Sequence, residues 1–584
     1  VLAAAAIMPA TAQKTKTLSN GYPFSQVPFT SVKIAHDSFW GSRLQAAREV
    51  TIPLAFSKCE TEHRYKNFEM AAYTLQHPGH KGLDTKEWNV SKFMGFSFDD
   101  TDVYKTIEGA SYILQTYPDK KLKAYIDSVL DVVAAAQEPD GYLYTARTIN
   151  PKHPHNWSGD KRWEQDETLS HELYNLGHMV DAACAHYQAT GSTKFLDIAK
   201  RYADCVVREV GPKDGQAKVV PGHQIAEMAL ARLYTLTGEK KYLDEAVGHA
   251  VRAGYMYAGI ADVAALTQDS DYIKTIDRIW DNIVSKKYYI TGGVGARHAG
   301  EAFGSNYELP NMTAYNETCA AISMVYLFER MFLLHGDSKY IDCLERTLYN
   351  GVISGMSMDG GRFFYPNPLS SDGKYAFNAD NNTTRQPWFG CACCPSNLCR
   401  FIPSVPGYLY GVKDNNIFVN LFAANVSTIK VNGKDVVLEE TTEYPWNGDI
   451  KITVKKSNAK NANLLIRIPG WVRNQVVPSD LYQFSDKEAP SYSVTVNGKA
   501  VEADLSANKG YLPVKNIRKG DVVRIHFDMP VRTVIANQKV ADDRSKVAVE
   551  RGPLVYCAEA ADNNGEPVLR AVMGKKPTFN VVDN

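Results

Sequence analysis

The chain has 584 residues, more than a single hydrophobic core can organise, so its length indicates two to four domains. Apolar residues make up 44% and charged residues 22%, which is typical of a folded globular protein and excludes a disordered chain. Lys plus Arg and Asp plus Glu both number 65, so the chain has no net charge that would favour binding to nucleic acid or an anionic membrane. No apolar run is long enough to span a bilayer.

The N-terminal residues have the pattern of an export signal. An apolar stretch is followed by Ala10 and Ala12, whose small-x-small spacing is typical of a signal-peptidase site. An alanine-rich terminal tail is the alternative interpretation. We expect residues 1–12 to be the remnant of a signal, residues 13–39 to be extended, and the protein to be exported to a bacterial periplasm or to the extracellular space.

From residue 40 to residue 410 apolar residues recur every three or four positions, which predicts helices. Clear examples cover residues 101–117, 167–189, 223–236 and 313–334. Connectors of the form Gly-x-x-Lys-aromatic-aliphatic follow three of these helices, beginning at Gly191, Gly238 and Gly336. A glycine there is expected to end each helix, and repeated helical hairpins indicate a solenoid or a closed ring. We predict a ring, an α/α barrel with a pocket at one end.

After about residue 410 the apolar period changes to two, which predicts strands. They are expected near residues 417–421, 450–454, 464–468, 492–496, 522–527 and 547–549. Hairpin turns are predicted at Asn432-Gly433, Asn447-Gly448 and Asn497-Gly498. The prediction is therefore a multidomain α+β protein, in which a helical barrel over 40–410 precedes a β-sandwich region over 411–584. The sandwich either binds carbohydrate or supports the barrel.

Four of the ten cysteines, Cys391, Cys393, Cys394 and Cys399, lie within nine positions, while most of the others are scattered singly. Cys391, Cys393 and Cys394 lie beside a proline, which predicts a loop that presents thiols. Together with Glu317 and Cys319 from an upstream segment, Cys393 and Cys394 form a plausible four-coordinate zinc set. The spacing matches no zinc finger, so chemistry alone leaves an unmetallated thiol cluster as an equal alternative.

Other polar residues also stand where a pocket is expected. Glu301 follows a glycine-rich segment and is either a general acid or a solvated loop residue. His171, His178, His223 and His249 occur at helix starts or on helix faces, where imidazoles can bind sugar hydroxyls. A structural role is the alternative for each histidine, most of all for His178.

Taken in order, six motifs resemble the β-L-arabinofuranosidases of glycoside hydrolase families 127 and 146. They are Asp102-Val103-Tyr104-Lys105, His171-Glu172-Leu173-Tyr174, Glu245-Ala246-Val247-Gly248-His249-Ala250-Val251-Arg252, Gly300-Glu301-Ala302-Phe303, Tyr315-Asn316-Glu317-Thr318-Cys319 and Cys391-Ala392-Cys393-Cys394-Pro395. The resemblance extends over about residues 30 to 560.

The resemblance implies an (α/α)6 barrel with β-sandwich domains and a retaining exo-glycosidase. The enzyme would release terminal β-L-arabinofuranose from L-arabinofuranose-containing oligo- or polysaccharides of plant type. The matching positions assign a zinc-bound nucleophile to Cys393, further Zn²⁺ ligands to Glu317, Cys319 and Cys394, the acid/base role to Glu301, and substrate binding to His171, His223, His249 and Tyr365.

The chain also departs from the family pattern. Pro395-Ser396-Asn397 replaces the more usual Pro-Pro-Asn, and fewer residues separate His223 from His249 than in relatives. A terminal strand motif is missing, so we expect the sandwich to be incomplete. Two further hypotheses stay open. The first is another carbohydrate-active enzyme on the same barrel with a structural zinc, namely a lyase, an epimerase or a hydrolase of a rarer pectic sugar. The second is a non-catalytic glycan-binding protein, which is favoured if Glu301 points away from the pocket.

Overall fold

A computed structural model describes residues 21–78, 93–211, 213–246, 253–574 and 577–582, together with two short strands at 84–85 and 88–89. The predicted export remnant at 1–12 and the predicted substrate-binding residue His249 lie outside these residues.

The helices of the described chain occupy its first two thirds. They are α1 (Phe39–Ala46), α2 (Ile52–Thr61), α3 (Arg64–Gln76), α4 (Asp100–Thr116), α5 (Lys120–Ala135), α6 (Thr145–Thr148), α7 (Glu172–Thr190), α8 (Lys194–Glu209), α9 (Ala226–Thr237), α10 (Lys240–Ala246), α11 (Ala253–Thr267), α12 (Ser270–Lys286), α13 (Thr318–His335), α14 (Ser338–Arg346) and α15 (Cys393–Phe401).

Six of these helices form a closed ring. In chain order α4, α7, α9, α11, α13 and α15 each pack against the next, and α15 packs against α4. Helices α4, α7 and α13 are buried around most of their circumference, whereas α8 and α12 bury a single apolar face. That difference is expected when fully apolar helices line a core and amphipathic helices cover it. Helices α8, α12 and α14 each cover one member of the ring, whereas α2 covers α4 and α15 and α10 covers α9 and α11.

The predicted glycine stops are confirmed. Gly191, Gly238 and Gly336 follow α7, α9 and α13 with φ of 73°, 77° and 63°. Glycine adopts this left-handed conformation without the strain a Cβ would introduce, so it ends a helix cleanly. Each stop leads within three residues into the next covering helix.

The predicted starts of the same ring helices are wrong by three to five residues. Helix α7 begins at Glu172 and α9 at Ala226, while α13 begins at Thr318. His223 therefore precedes α9 instead of lying in its first turn. The apolar residues before α9 and α13 that extended the helical pattern, Ile225, Ala314 and Tyr315, are buried in loops, whereas Leu169 before α7 is exposed.

The remaining described chain is mainly sheet. Its strands are β1 (Ser25–Gln26), β2 (Val32–Ile34), β3 (Asp84–Thr85), β4 (Trp88–Asn89), β5 (Tyr410–Lys413), β6 (Asn416–Val419), β7 (Asn425–Val431), β8 (Lys434–Thr442), β9 (Asp449–Ser457), β10 (Asn463–Arg467), β11 (Tyr482–Phe484), β12 (Tyr492–Val496), β13 (Lys499–Ala500), β14 (Tyr511–Val514), β15 (Val522–Phe527), β16 (Val531–Ala536), β17 (Ala548–Arg551) and β18 (Leu554–Tyr556).

These strands form three main sheets. One has the order β1-β5-β6-β10-β14, a second has the order β13-β12-β15-β9-β8-β7-β2, and a third has the order β11-β16-β17-β18. Strand β7 alternates buried and exposed residues along its whole length, as expected of a sheet with one face on a core. The buried faces of the first two sheets share one apolar cluster. Strands β1 and β2 tie the N-terminal segment to both sheets.

Two of the three predicted hairpin turns have the expected conformation. Asn432-Gly433 joins β7 to β8 and Asn497-Gly498 joins β12 to β13, with positive φ at both residues of each pair. The third pair, Asn447-Gly448, lies instead in a longer connection between β8 and β9.

Within the described residues one helix is long and apolar enough to cross a membrane by length and composition, namely α13. Most of it, 78%, is buried inside the protein, where it belongs to the helical ring.

Candidate active site

The four predicted metal ligands come from two adjacent helix starts. Glu317 is the residue before α13, with an extended backbone (φ −66°, ψ 140°), and Cys319 lies in the first turn. The apolar pattern alone put the start of this helix at residue 313. A regular helix would direct residues two apart to different sides, so a metal shared by Glu317 and Cys319 instead requires the helix to begin at or after Glu317. It begins at Thr318, which confirms that expectation and lets Glu317 turn toward Cys319.

The adjacent thiols occupy a helix, not the loop that their sequence predicted. Cys393 and Cys394 are the first two residues of α15, and Pro395 follows them inside the first turn. Proline is tolerated at that point because the first N–H groups of a helix have no intrahelical partner. The start of α15 therefore presents both thiols toward the start of α13, against which it packs.

The donor atoms fit a tetrahedral ion. The Sγ atoms of Cys319 and Cys394 are 3.4 Å apart, and Glu317 Oε1 lies 3.4 Å from Cys394 Sγ and 3.9 Å from Cys393 Sγ. All four donors lie within 4.8 Å of one another. Zinc bonds of about 2.3 Å to sulfur and about 2.0 Å to oxygen would separate tetrahedral donors by roughly 3.5–3.8 Å. These four residues could therefore hold a metal ion, and three sulfurs with one carboxylate oxygen are a donor set that suits zinc.

The pKa shifts of the groups in this cluster also favour a bound cation. Burial, followed by the nearby Cys393 and Glu301, raises the pKa of Glu317 well above its usual value. Burial opposes ionisation of Cys319 as well, but hydrogen bonds with Cys393 and Cys394 outweigh it and lower the pKa of Cys319 to about 6. Acidic groups packed this closely oppose one another's ionisation, and a divalent cation between them would relieve that repulsion.

Tyr365, predicted to bind substrate, lies directly beside the thiol of Cys393. Its hydroxyl oxygen is 2.6 Å from Cys393 Sγ. Burial, with the neighbouring thiols adding to it, raises the pKa of Tyr365 well above its usual value, so the hydroxyl keeps its proton and is available as a donor to an ionised sulfur. Cys391 Sγ is 4.0 Å from Cys393 Sγ and lies outside the four-donor cluster.

Glu301 is exposed but held in place. It ends a short turn with φ of 51°, and its Oε1 accepts a 2.9 Å hydrogen bond from the Tyr315 hydroxyl. The glycine-rich segment before it packs closely on the chain that leads into Glu317: a Cβ on Gly293 would overlap Asn316 Oδ1. A larger residue at position 293 would have to displace the Asn316 side chain, and the close packing brings the Glu301 turn to the metal-ligand cluster.

A cavity of about 120 Å³ joins these groups. Seven of the predicted site residues line it, namely Glu301, Glu317, Cys319, Cys393, Tyr365, His171 and His223. Cys394 is buried behind them. An engineered cavity of about 150 Å³ holds a single benzene ring, so this volume suits one small ring.

Histidines and one tyrosine form another part of the cavity wall. His171 immediately precedes α7, and its ring centroid is 6.0 Å from that of His223. The ring of Tyr174 lies 4.3 Å from His223 and 4.5 Å from His178. Burial and then the charge of Lys105 lower the pKa of His178 well below its usual value, so its imidazole is neutral. The structural role favoured for His178 is incomplete, because this residue also lines the cavity.

Sequence reasoning gave no role to five further lining residues, which are Phe98, Lys105, Tyr174, Tyr255 and Asn397. Lys105 and Tyr174 belong to motifs that the resemblance identified, but neither had a role. The Asn397 side-chain amide donates to the Tyr255 hydroxyl at 2.8 Å and accepts from buried Arg400 at 2.7 Å. That pairing joins α11 to α15 and has no local sequence signal.

Family comparisons cover nearly the whole chain. The β-L-arabinofuranosidase GH127 catalytic domain matches residues 31–246 and 244–407, the GH127 middle domain matches 416–529, and the C-terminal domain of glycoside hydrolase family 127 matches 531–582. The catalytic match is split near residue 245, which lies in the interval where too few residues separate His223 from His249.

Individual proteins give the same result. A non-reducing end β-L-arabinofuranosidase from Bifidobacterium longum is 36% identical over 535 residues, 81% of this chain and 77% of that protein. A solved GH127 β-arabinofuranosidase is 61% identical with a TM-score of 0.86, covering 93% of this chain and 87% of its own. A GH127 β-L-arabinofuranosidase from Geobacillus stearothermophilus T6 is 34% identical with a TM-score of 0.81, covering 91% and 87%.

Proposed function

Because the chain belongs to the β-L-arabinofuranosidases of glycoside hydrolase family 127 and is therefore a glycoside hydrolase, we propose that it removes terminal β-L-arabinofuranose from plant-type glycans with retention of anomeric configuration. One observation carries the mechanism. The thiol of Cys393 and the carboxylate of Glu301 line the same single-ring cavity, beside a four-donor metal site. A cavity of this size suits the terminal sugar of a chain and so supports exo action.

The fold that we propose for the helical part is an (α/α)6 barrel. The support is the closed ring of six helices and the covering helices around it. The loops at one end of the ring carry His171, His223 and Glu301, all of which line the cavity. In this interpretation the sheets form sandwich domains that follow the barrel.

Glu317, Cys319, Cys393 and Cys394 would hold zinc in this enzyme. A zinc ion bound there would keep the thiols deprotonated near neutral pH. The chain's own contribution is the orientation of the attacking sulfur, since the Tyr365 hydroxyl donates to Cys393 Sγ and restricts its position.

The reaction then divides between two residues. The sulfur of Cys393 attacks the anomeric carbon while Glu301 protonates the departing glycosidic oxygen. Glu301, now a carboxylate, takes a proton from the water that cleaves the thioglycoside and returns the thiolate. By analogy with two-carboxylate retaining enzymes, we expect sulfur and carboxylate to flank the anomeric carbon about 5–6 Å apart. His171 and His223 are placed to bind the sugar hydroxyls.

The other two hypotheses are less favoured. A lyase or epimerase on this barrel would have no use for an acidic side chain that shares a cavity with a thiol. A purely glycan-binding protein required Glu301 to point away from the pocket, whereas Glu301 lines it.

The proposal predicts zinc-dependent arabinose release. We expect the purified protein to contain one zinc ion per chain and to cleave p-nitrophenyl β-L-arabinofuranoside but not the α-anomer. Removal of zinc by a chelator should abolish cleavage, because the ion that would hold and activate the attacking sulfur is then missing. The measurements are p-nitrophenol release and elemental analysis, and added zinc should restore the rate. Full turnover by metal-free protein would contradict the proposed site.

We also propose that the enzyme is exported, to the periplasm or outside the cell. The small-x-small pattern at Ala10 and Ala12 supports this. The expected result of fractionating the native host is recovery of activity outside the cytoplasm. Activity confined to the cytoplasmic fraction would contradict it.

A further inference from the structure

Lys105 is a buried lysine on α4 that lines the active-site cavity. Its side chain is almost fully enclosed, with 1% of the residue exposed. The ammonium group donates one hydrogen bond, 2.8 Å long, to the hydroxyl of Tyr174, and lies 5.1 Å from the centroid of the same ring. Burying an ammonium group is costly unless acceptors surround it, so the surroundings of Lys105 require an explanation.

The carboxylates on α4 do not neutralise the ammonium group of Lys105. Asp102 pairs with Arg64 at 3.2 Å, and Glu108 pairs with Arg400 at 3.2 Å. Within the part of the chain that the structure describes, no carboxylate lies within ion-pairing distance of Lys105. Tyr174 therefore provides one neutral acceptor for a group with three N–H donors.

Lys105 borders the active-site cavity, which is where its remaining hydrogen-bond acceptors would come from. His171 and His223 lie around Tyr174, with ring centroids 6.2 Å and 4.3 Å from it, so the lysine shares the wall that is placed to bind sugar hydroxyls. Water can satisfy the free ammonium before substrate arrives. A ligand that displaces this water without offering an oxygen would leave a buried charge with too few acceptors, which is heavily penalised.

We propose that Lys105 is a substrate-binding, specificity-determining residue that donates a charged hydrogen bond to a hydroxyl oxygen of the furanose in the cavity. Tyr174 is the positioning residue that holds the ammonium group. The identity of the sugar in this inference rests on the proposed function. The requirement that the ligand offer an oxygen acceptor to Lys105 does not. It predicts that the enzyme rejects arabinosides that lack the contacted hydroxyl.

The test combines Lys105→Met with deoxygenated substrates. Methionine has a similar length but no donor. We expect kcat/KM on p-nitrophenyl β-L-arabinofuranoside to fall about 10- to 100-fold, the range of a hydrogen bond from a charged group. On one of the 2-, 3- and 5-deoxy analogues the same substitution should cost less than about 3-fold, because the partner oxygen is already missing. Zinc content and thermal unfolding should match the unaltered protein.

Tyr174→Phe is a second variant that leaves the lysine in place. It should give a smaller loss with the same dependence on the analogue, and it carries the test if Lys105→Met fails to fold. Lys194→Met, on the covering helix α8, is the matched control and should leave all rates unchanged. An equal loss on every analogue, or loss of zinc from Lys105→Met, overturns the proposal, since Lys105 would then only offset the charge of the thiol cluster.

Calorimetric titration with L-arabinose separates this inference from the proposed function. The unaltered protein should bind the sugar, and Lys105→Met should bind it at least 10-fold more weakly. Unchanged affinity overturns the role of Lys105 even if hydrolysis is confirmed. If the unaltered protein cleaves no β-L-arabinofuranoside, the proposed function fails, while weaker binding by Lys105→Met still supports the sugar contact. No binding by the unaltered protein overturns both.

Discussion

Replacing Cys393 by serine is expected to abolish turnover while the protein stays folded. A serine hydroxyl is far less ionised than a thiol near neutral pH and is also a poorer zinc ligand, so both the nucleophile and one metal bond are weakened. We expect kcat to fall on the order of 10³-fold or more, as when other covalent nucleophiles are removed. The measurement is steady-state release of p-nitrophenol, with circular dichroism to establish that the fold is intact.

Cys391→Ser is the matched control for that substitution. Cys391 is two residues away in the same segment, and its sulfur lies 4.0 Å from Cys393 Sγ but outside the four-donor cluster. We expect this variant to retain zinc and measurable turnover. Near-normal turnover by Cys393→Ser, or equal inactivation of both variants, would contradict the assignment of the nucleophile.

The helical ring could be predicted from the sequence because its signals are local. The apolar period of three to four residues marks each helix, and a glycine in left-handed conformation ends it at Gly191, Gly238 and Gly336. The two Asn-Gly hairpins at 432–433 and 497–498 were predictable for the same reason, since positive φ at both positions requires these residue types.

The helix starts were harder to predict because burial, not helical geometry, determines their apolar pattern. Leu309 and Ala314 are buried in the loop before α13, although they continue its apolar pattern. The same effect extended α9 into the loop that carries His223, where Ile225 is buried. Burial does not explain the error at α7, because Leu169 before it is exposed. These starts are where the ring opens to the cavity, so the predictions failed at the positions that build the site.

The candidate site was only partly visible in the sequence. Cysteines this close together in sequence are rare enough to be noticed without a structure. The four donors of the cluster come from only two segments of the chain, so their association could be predicted. Lys105 gave no such signal, and the sequence favoured a structural role for His178. A buried lysine or histidine becomes informative only when its distant partners are known. The Lys105–Tyr174 hydrogen bond joins residues that lie 69 positions apart in the chain.

Glu301→Gln is expected to separate the two steps of the reaction. A glutamine cannot protonate a leaving group, but p-nitrophenol leaves readily without a proton, so attack by Cys393 should continue. The second step should slow much more, because the amide cannot take a proton from water.

A thioglycosyl adduct should therefore accumulate on Cys393 of the Glu301→Gln protein, with a burst of p-nitrophenol equal to the enzyme concentration. Mass spectrometry of the intact and digested protein after incubation with p-nitrophenyl β-L-arabinofuranoside measures the adduct and its position. Tyr315→Phe, which removes only the hydroxyl bonded to Glu301 Oε1, should slow both steps modestly and accumulate no adduct. An adduct on another residue, or an arabinose product of inverted configuration, would exclude this division of roles, because retention requires that one sulfur first bind and then release the same anomeric carbon.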